Sequence, residues 1–164
     1  MHGNPALIIN EPIPVEKLDP DQIEIVIVED SSKVAELILR VVRRLNLAGR
    51  YILIKDGGEA LDYLFAQTNY VNAAVRRTPR VVFLDLKLPG IDGLEVLRRV
   101  KLDERTKNLP VVVLSSSIQE NDIKTAYDLG VNSYVTKPNQ SEELSSVVEE
   151  LVRYWLLLNK MPAR

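Results

Sequence analysis

The chain has 164 residues with a formal net charge of −2, and 46% of its residues are hydrophobic and 27% charged, a composition typical of one globular domain. It has no cysteine and a single histidine, His2, which excludes disulfide frameworks, thiolate metal sites and histidine-dependent catalytic triads. The balanced charge gives no signal for nucleic acid, and no segment approaches the ~18 apolar residues of a membrane span, so we expect a cytoplasmic protein that binds neither.

The first 22 residues contain four prolines and no sustained periodicity, which predicts an extended N-terminal arm. The pattern changes at Ile23–Val28, a short β-branched run typical of a strand buried on both faces of a parallel sheet. Ser31 or Ser32 is predicted to cap the helix that follows, and Gly49 to mark its end.

Four further strand–helix units follow along the chain. The predicted strands are Tyr51–Ile54, Val81–Leu84, Val111–Leu114 and Ser133–Val135, and their helices cover 59–67, from about 94, 119–129 and 141–157. Asp92 with Glu95, and Ser117 with Glu120, are spaced as capping pairs. Five units in a row predict an α/β fold with a five-stranded parallel sheet, doubly wound by helices on both faces.

Polar residues follow the predicted strands where ligands bind in open parallel sheets. Glu29 and Asp30 come after the first strand and Asp85 after the third, while Ser115 and Lys137 end the fourth and fifth. Converging carboxylates repel one another unless a cation is present, and all-oxygen ligation by few protein groups suits Mg²⁺. The hydroxyl and the ammonium complete a site suited to a phosphoryl group.

Four motifs in this order resemble the receiver domain of bacterial response regulators over residues 23–152. They are Glu29-Asp30, VVFLDLKLPGIDG with Asp85, VVVLSS with Ser115, and YVTKP with Tyr134 and Lys137. The resemblance implies a flavodoxin-like (βα)5 receiver fold and a single-domain response regulator of a two-component system. It also implies a signalling phosphoprotein rather than an enzyme that turns over a substrate.

The resemblance assigns a role to each residue of the site. Asp85 would accept phosphate from a histidine kinase. Asp30 would bind Mg²⁺ directly, Glu29 through water, and Lys87 through its backbone carbonyl. No other cofactor is implied.

The remaining three site residues would respond to the phosphate. Ser115 would bond a phosphoryl oxygen, although as one of three serines it is also a candidate helix cap. Lys137 would pair with Asp85 and the phosphate, across a cis bond to Pro138. Tyr134 would turn inward as the aromatic switch; core packing is the alternative explanation for this strand aromatic.

Lys87 lies two residues after Asp85, where its side chain could overhang the phosphoryl group. Our hypothesis is that its ammonium screens the acyl phosphate from water and lengthens the signal. The alternative is a solvent lysine of which the backbone alone matters.

The apolar residues of the final predicted helix extend beyond a single face of the helix. Its spacing predicts a core face of Leu144, Val147, Val148, Leu151, Trp155 and Leu158, with Val152 and Leu156 off that stripe. We expect residues 153–164 to extend this helix and to act with the helix four, strand five and helix five face in a homodimer. Packing against the N-terminal arm is the alternative.

The long connection of residues 68–80 and the YWLLL extension resemble the small response regulators paired with cyanobacterial and other bacterial phytochromes. That resemblance implies a phytochrome-type histidine kinase as phosphate donor, and we expect no DNA-binding output domain.

Two other functions stay open. One is a dimeric scaffold that works without phosphorylation. The other is an aspartate-nucleophile phosphatase of the haloacid-dehalogenase kind, which needs an aspartate where this chain has Lys87. The cognate kinase, the downstream target and the choice between relay and terminal output are also open.

Overall fold

A computed structural model describes residues 23–47, 50–68 and 78–162. The predicted N-terminal arm, Gly49 and most of the long connection before the third strand lie outside these residues. Strands and helices alternate along the described chain, with bounds β1 Ile25–Val28, α1 Ser32–Arg44, β2 Tyr51–Ile54, α2 Gly57–Thr68, β3 Val81–Leu84, α3 Gly93–Leu102, β4 Val111–Ser115, α4 Glu120–Asp128, β5 Ser133–Thr136, α5 Ser141–Arg153 and a π-helical turn Tyr154–Leu158.

All five strands are parallel and lie in the order β2-β1-β3-β4-β5. This arrangement confirms the predicted doubly wound sheet. The register aligns the carboxyl ends of the strands, since Val28 pairs with Leu84 and Ser115 with Thr136. The residues that follow these ends therefore meet at one edge of the sheet.

The sheet is covered on both faces, which explains its β-branched strands. Alternate strand residues such as Val26, Val82 and Val113 join one apolar cluster with α2, α3 and α4. The residues between them, such as Ile27 and Phe83, join a second cluster with α1 and α5. The apolar side chains of the strands thus pack into one of two cores.

The helix starts follow the predicted caps with one exception. Ser31 Oγ accepts a hydrogen bond from Val34 N at 3.4 Å, and Asp92 Oδ1 accepts one from Glu95 N at 2.9 Å. The prediction that Ser117 is the N-cap of α4 is wrong, because Gln119, in an extended conformation, is the N-cap residue and α4 starts at Glu120. The Ser117 hydroxyl donates instead to Asp122 Oδ2 at 2.5 Å.

The predicted core stripe of the last helix needs correction. Val152 and Leu156, expected off the stripe, are buried, whereas Leu158, expected in it, is 68% exposed. α5 packs against α1 through residues four apart, which brings Val152 inward. The helix then ends in the π-helical turn, where Asn159 N donates to Tyr154 O at 2.7 Å. The wider turn holds one extra residue and shifts the side chains that follow.

No helix within the described ranges is long and apolar enough to cross a membrane.

Candidate functional site

Three carboxylates converge at the carboxyl edge of the sheet, as the sequence predicts. One oxygen each from Glu29, Asp30 and Asp85 lies within 4.8 Å of the others. Backbone bonds to neighbouring strands fix two of these residues, since Glu29 N donates to Ile54 O and Asp85 N to Val28 O, both at 3.0 Å. Glu29 is 2% and Asp85 6% exposed, while Asp30 is open to solvent. A cluster with one open side can take a divalent cation that keeps several waters.

Lys137 lies between two of these carboxylates. Its Nζ is 2.6 Å from Glu29 Oε2 and 3.2 Å from Asp85 Oδ2, and its side chain is 10% exposed. The Lys137 amide donates to Ser115 O at 2.8 Å, which continues the β4–β5 ladder to the site. The expectation of a cis bond between Lys137 and Pro138 is wrong, because every described peptide bond is trans. The side chain reaches both carboxylates from this backbone.

Burial sets the ionisation of Glu29. It raises the pKa of this carboxyl to about 6, and the negative charge of Asp85 adds to the rise. The ion pair with Lys137 opposes the rise, as does the hydrogen bond that Ser31 N donates to Glu29 Oε1 at 3.1 Å. A bound cation would favour the ionised form of the carboxyl.

The predicted switch residues, Ser115 and Tyr134, both form hydrogen bonds with Ser117. Ser115 is completely buried, and its Oγ accepts a hydrogen bond from Ser117 N at 3.2 Å. Tyr134 Oη donates to Ser117 O at 2.8 Å, and its ring packs against the α2–α3–α4 core. The sequence placed Ser115 and Tyr134 correctly on β4 and β5 but did not identify their common partner.

A cleft of about 400 Å³ opens over the carboxylates. Lys87 lines it with an exposed side chain, and the Lys87 amide donates to Asp85 Oδ1 at 3.4 Å. Ser115 is not among the lining residues, whereas its neighbour Ser116 is. Sequence reasoning missed several other lining residues, although the α1 cap and the turn after Pro138 point to them: Ser31, Lys33, Val34, Leu37, Asn139, Ser141 and Leu144.

The loop after Asp85 is held by close packing at Gly93. A Cβ at this position would lie 2.1 Å from Asp85 O and 2.6 Å from Leu86 Cα. The Gly93 amide donates to Leu86 O at 2.8 Å. The start of α3 therefore fixes the backbone of Asp85 directly.

This fold and this edge cluster define a class of protein. Residues 25–149 match the response regulator receiver domain family, and the chain belongs to that family. It is a receiver domain of a two-component system, which confirms the resemblance drawn from the four motifs.

The similar proteins include a phytochrome response regulator. The chain is 35% identical over 139 residues to the response regulator Rcp1 of Synechocystis sp., covering 85% of this chain and 92% of Rcp1. It is 38% identical to a crystal structure of the phosphorylated cyanobacterial phytochrome response regulator RcpA, with a TM-score of 0.76 and coverage of 85% and 97%. It is also 44% identical over 142 residues to the Probable methanogenesis regulatory protein FilR2 of Methanothrix harundinacea, covering 87% and 89%.

Proposed function

We propose that this protein is a phosphorylation switch that takes phosphate on Asp85 from a histidine kinase and signals by a change of shape. The observation that carries the proposal is the position of Asp85, buried under an open cleft between Lys137 and two further carboxylates. In the transfer, an Asp85 oxygen bonds to phosphorus as the phosphorus–nitrogen bond of the donor phosphohistidine breaks. The freed imidazole leaves with the electron pair of that bond.

The carboxylates would hold Mg²⁺ for this step. Asp30 and Asp85 are direct ligand candidates, with Glu29 acting through water and Lys87 through its backbone carbonyl. When bound, Mg²⁺ neutralises the charge that builds up between the carboxylates and the phosphoryl oxygens. A crystal structure of Rcp1 is described as its Mn²⁺-bound form, and its sequence identity of 35% to this chain supports a divalent cation here.

The side chains around Asp85 take up the phosphoryl group. Lys137, already paired with Asp85, provides a positive charge for a phosphoryl oxygen. Ser115 provides a hydroxyl from β4 after it turns away from Ser117, and Tyr134 fills the space that Ser115 leaves. The phosphorylated state must be favoured by a few kcal/mol for the population to shift decisively.

The kinase partner we propose is of the phytochrome type. The support is the similarity to Rcp1 and to RcpA, the second of which is described as a phytochrome response regulator. A histidine kinase with another sensor is the second candidate, because FilR2 has the higher identity and is named for methanogenesis.

We also propose a homodimer that uses the α4–β5–α5 face and the π-helical turn. Tyr154, Leu157 and Leu158 expose large apolar surfaces on this turn, and Ile118 and Tyr127 do so beside and on α4. Exposed apolar residues in this number mark a surface that another protein covers. A second copy of the chain is the partner we propose for it.

The experiment that tests the switch is incubation with acetyl phosphate and Mg²⁺, followed by intact mass and gel filtration. We expect the added mass of one phosphoryl group in wild type, dependent on Mg²⁺ and absent in Asp85→Asn. A folded wild-type protein that takes up no phosphate contradicts the proposal and favours the scaffold. Steady turnover of phosphomonoesters instead favours the phosphatase.

A further inference from the structure

Ser117 connects three parts of the molecule through its three polar groups. Its amide donates to Ser115 Oγ at 3.2 Å, and its carbonyl accepts from Tyr134 Oη at 2.8 Å. Its hydroxyl donates to Asp122 Oδ2 at 2.5 Å. Ser117 is buried, at 8% exposed, so water does not readily replace these partners. One residue therefore contacts β4, β5 and α4 together.

The bond to Asp122 holds the first turn of α4. Gln119 is the N-cap residue of this helix but makes no side-chain capping bond. Gln119 N instead donates to Ser117 Oγ at 3.4 Å, and the same hydroxyl binds the carboxylate of Asp122 in the first turn of the helix. A hydrogen bond to a charged acceptor is stronger than one between neutral groups. The position of Ser117 thus helps to determine where α4 begins.

Two contacts of Ser117 change if the proposed switch operates. When Ser115 turns its hydroxyl to the phosphoryl group, its oxygen moves away from the Ser117 amide. When Tyr134 turns inward, it leaves the Ser117 carbonyl. Both buried backbone groups then lack partners, which is unfavourable, so the loop must move to satisfy them. The contacts that remain are those of the Ser117 hydroxyl, which donates to Asp122 Oδ2 and accepts from Gln119 N.

We propose that Ser117 and Asp122 form a latch through which phosphorylation of Asp85 displaces the start of α4. Ser117 is a positioning residue in this scheme, since it touches neither the phosphate nor a cation. Asp122 is the point at which α4 receives the motion. The inference rests on the proposed function and deepens it, because it names the residues that carry the change from the phosphate site to the helix.

The latch has a test that needs no phosphate. Hydrogen exchange of the amides at 120–124 is measured in wild type, Ser117→Ala, Asp122→Ala and the double variant. We expect each single variant to exchange about fivefold faster, as loss of one hydrogen bond predicts, and the double variant to exchange no faster than either. Ser117→Thr keeps the hydroxyl and restores the wild-type rate, and the exposed Ser116→Ala is the control. Multiplied effects in the double variant overturn the latch.

The second test adds beryllofluoride with Mg²⁺ as a phosphoryl stand-in, with binding followed by fluorine NMR. We expect every Ser117 and Asp122 variant to bind it, with Kd within about threefold of wild type, since Ser117 and Asp122 lie outside the site. Wild type and Ser117→Thr change their exchange at 120–124 on binding, and Ser117→Ala and Asp122→Ala lose most of that change. If Ser117→Ala shows the same change in exchange as wild type, the latch is overturned but the proposed function is not. The same holds if wild type binds beryllofluoride without any change in exchange at 120–124. Absence of bound ligand in wild type overturns the proposed function as well.

Discussion

Lys137 Nζ lies 2.6 Å from Glu29 Oε2, closer than its 3.2 Å distance to Asp85 Oδ2. The lysine therefore neutralises a buried carboxylate that we assign to the metal site, besides pairing with the proposed phosphoacceptor. A cation entering the cluster competes with the ammonium for the same oxygens. The charge of Lys137 stabilises the protein without metal and opposes metal binding.

This relationship predicts opposite effects of Lys137→Met on stability and on cation affinity. The free energy of unfolding without metal should fall by about 3 kcal/mol, because two buried carboxylates lose their partner. Mg²⁺ should bind more tightly and restore part of the loss. Urea unfolding with and without Mg²⁺ measures both effects. The exposed Lys33→Met at the cleft is the matched control, and equal Mg²⁺ affinity in wild type and Lys137→Met would contradict the competition.

Gly93→Ala should disturb the phosphoacceptor through its backbone. The added Cβ would meet Asp85 O at 2.1 Å and Leu86 Cα at 2.6 Å, and neither backbone atom can move without shifting the loop. We expect about 3 kcal/mol of destabilisation, as in overpacked cores. Thermal unfolding measures the loss. Gly58→Ala, whose Cβ meets only side-chain atoms, at 3.1 Å and 3.9 Å, is the control, and a Gly93→Ala protein as stable as this control would show that the loop adapts.

Lys101 should make stability depend on pH. Its Nζ donates to Leu109 O at 2.7 Å, Asn132 Oδ1 at 2.9 Å and Lys107 O at 3.2 Å, with no carboxylate among these three acceptors. Burial lowers the pKa of Lys101 from 10.5 to about 8. Between these pH values the unfolded chain binds more protons than the folded one. The contribution of Lys101 to the free energy of unfolding therefore increases from pH 8 to pH 10.5, and it is lost as the pH is lowered to 8.

The variant Lys101→Met removes both the titration and the three bonds. At pH 7 we expect it to lose about 1 to 3 kcal/mol, because the partly buried Leu109 carbonyl and two further acceptors lose their donor. The stability difference between wild type and variant should grow from pH 8 to pH 10 in urea unfolding. A difference that stays constant over this range would show that Lys101 keeps its ordinary pKa.

Lys87→Ala tests whether the side chain protects the phosphate. Lys87 lines the cleft over Asp85 and is exposed. If it screens the acyl phosphate from water, phosphorylated Lys87→Ala should lose its phosphate several-fold faster than wild type. Phosphate release after removal of acetyl phosphate gives the half-life, with Lys33→Ala at the same cleft as control. An unchanged half-life would leave only the Lys87 backbone with a role.

Leu157→Glu with Leu158→Glu tests the proposed homodimer. Both side chains are exposed on the π-helical turn, so the folded monomer should keep its stability to within about 0.5 kcal/mol. Two carboxylates in an apolar interface should abolish association, because burying them unpaired is unfavourable. Sedimentation of wild type and variant at several concentrations measures assembly, before and after phosphorylation. A wild type that is monomeric in both states would refute the homodimer.

The fold could be predicted because each strand carries its own signal. Ile25–Val28 is β-branched throughout and Val81–Leu84 is apolar throughout, since both faces of the sheet are covered. The site could be predicted because parallel strands align their carboxyl ends. This alignment brings Glu29, after β1, close to Asp85, after β3. These features depend on local pattern and on a topology that admits few alternatives.

Other features depend on contacts between distant residues. The sequence is compatible with two roles for the Ser117 hydroxyl, as the cap of α4 or as the partner of Asp122. The path of the loop before α4 determines which role it has. Gly93 reads as an ordinary turn residue until Asp85 O is placed beside it. The burial of Val152 follows from its packing on α1, and no stripe drawn on α5 alone reveals it.

The π-helical turn at Tyr154–Leu158 has a consequence for protein engineering. One extra residue in a helical turn rotates the residues that follow it by roughly 100° about the helix axis, together with any domain attached to them through a continuous helix. A fluorescent reporter fused rigidly at Arg153 would thus face a different direction from one fused after Leu158. Two such fusions would give the same receiver two orientations, which makes the turn a natural place to set the geometry of a sensor built on this protein.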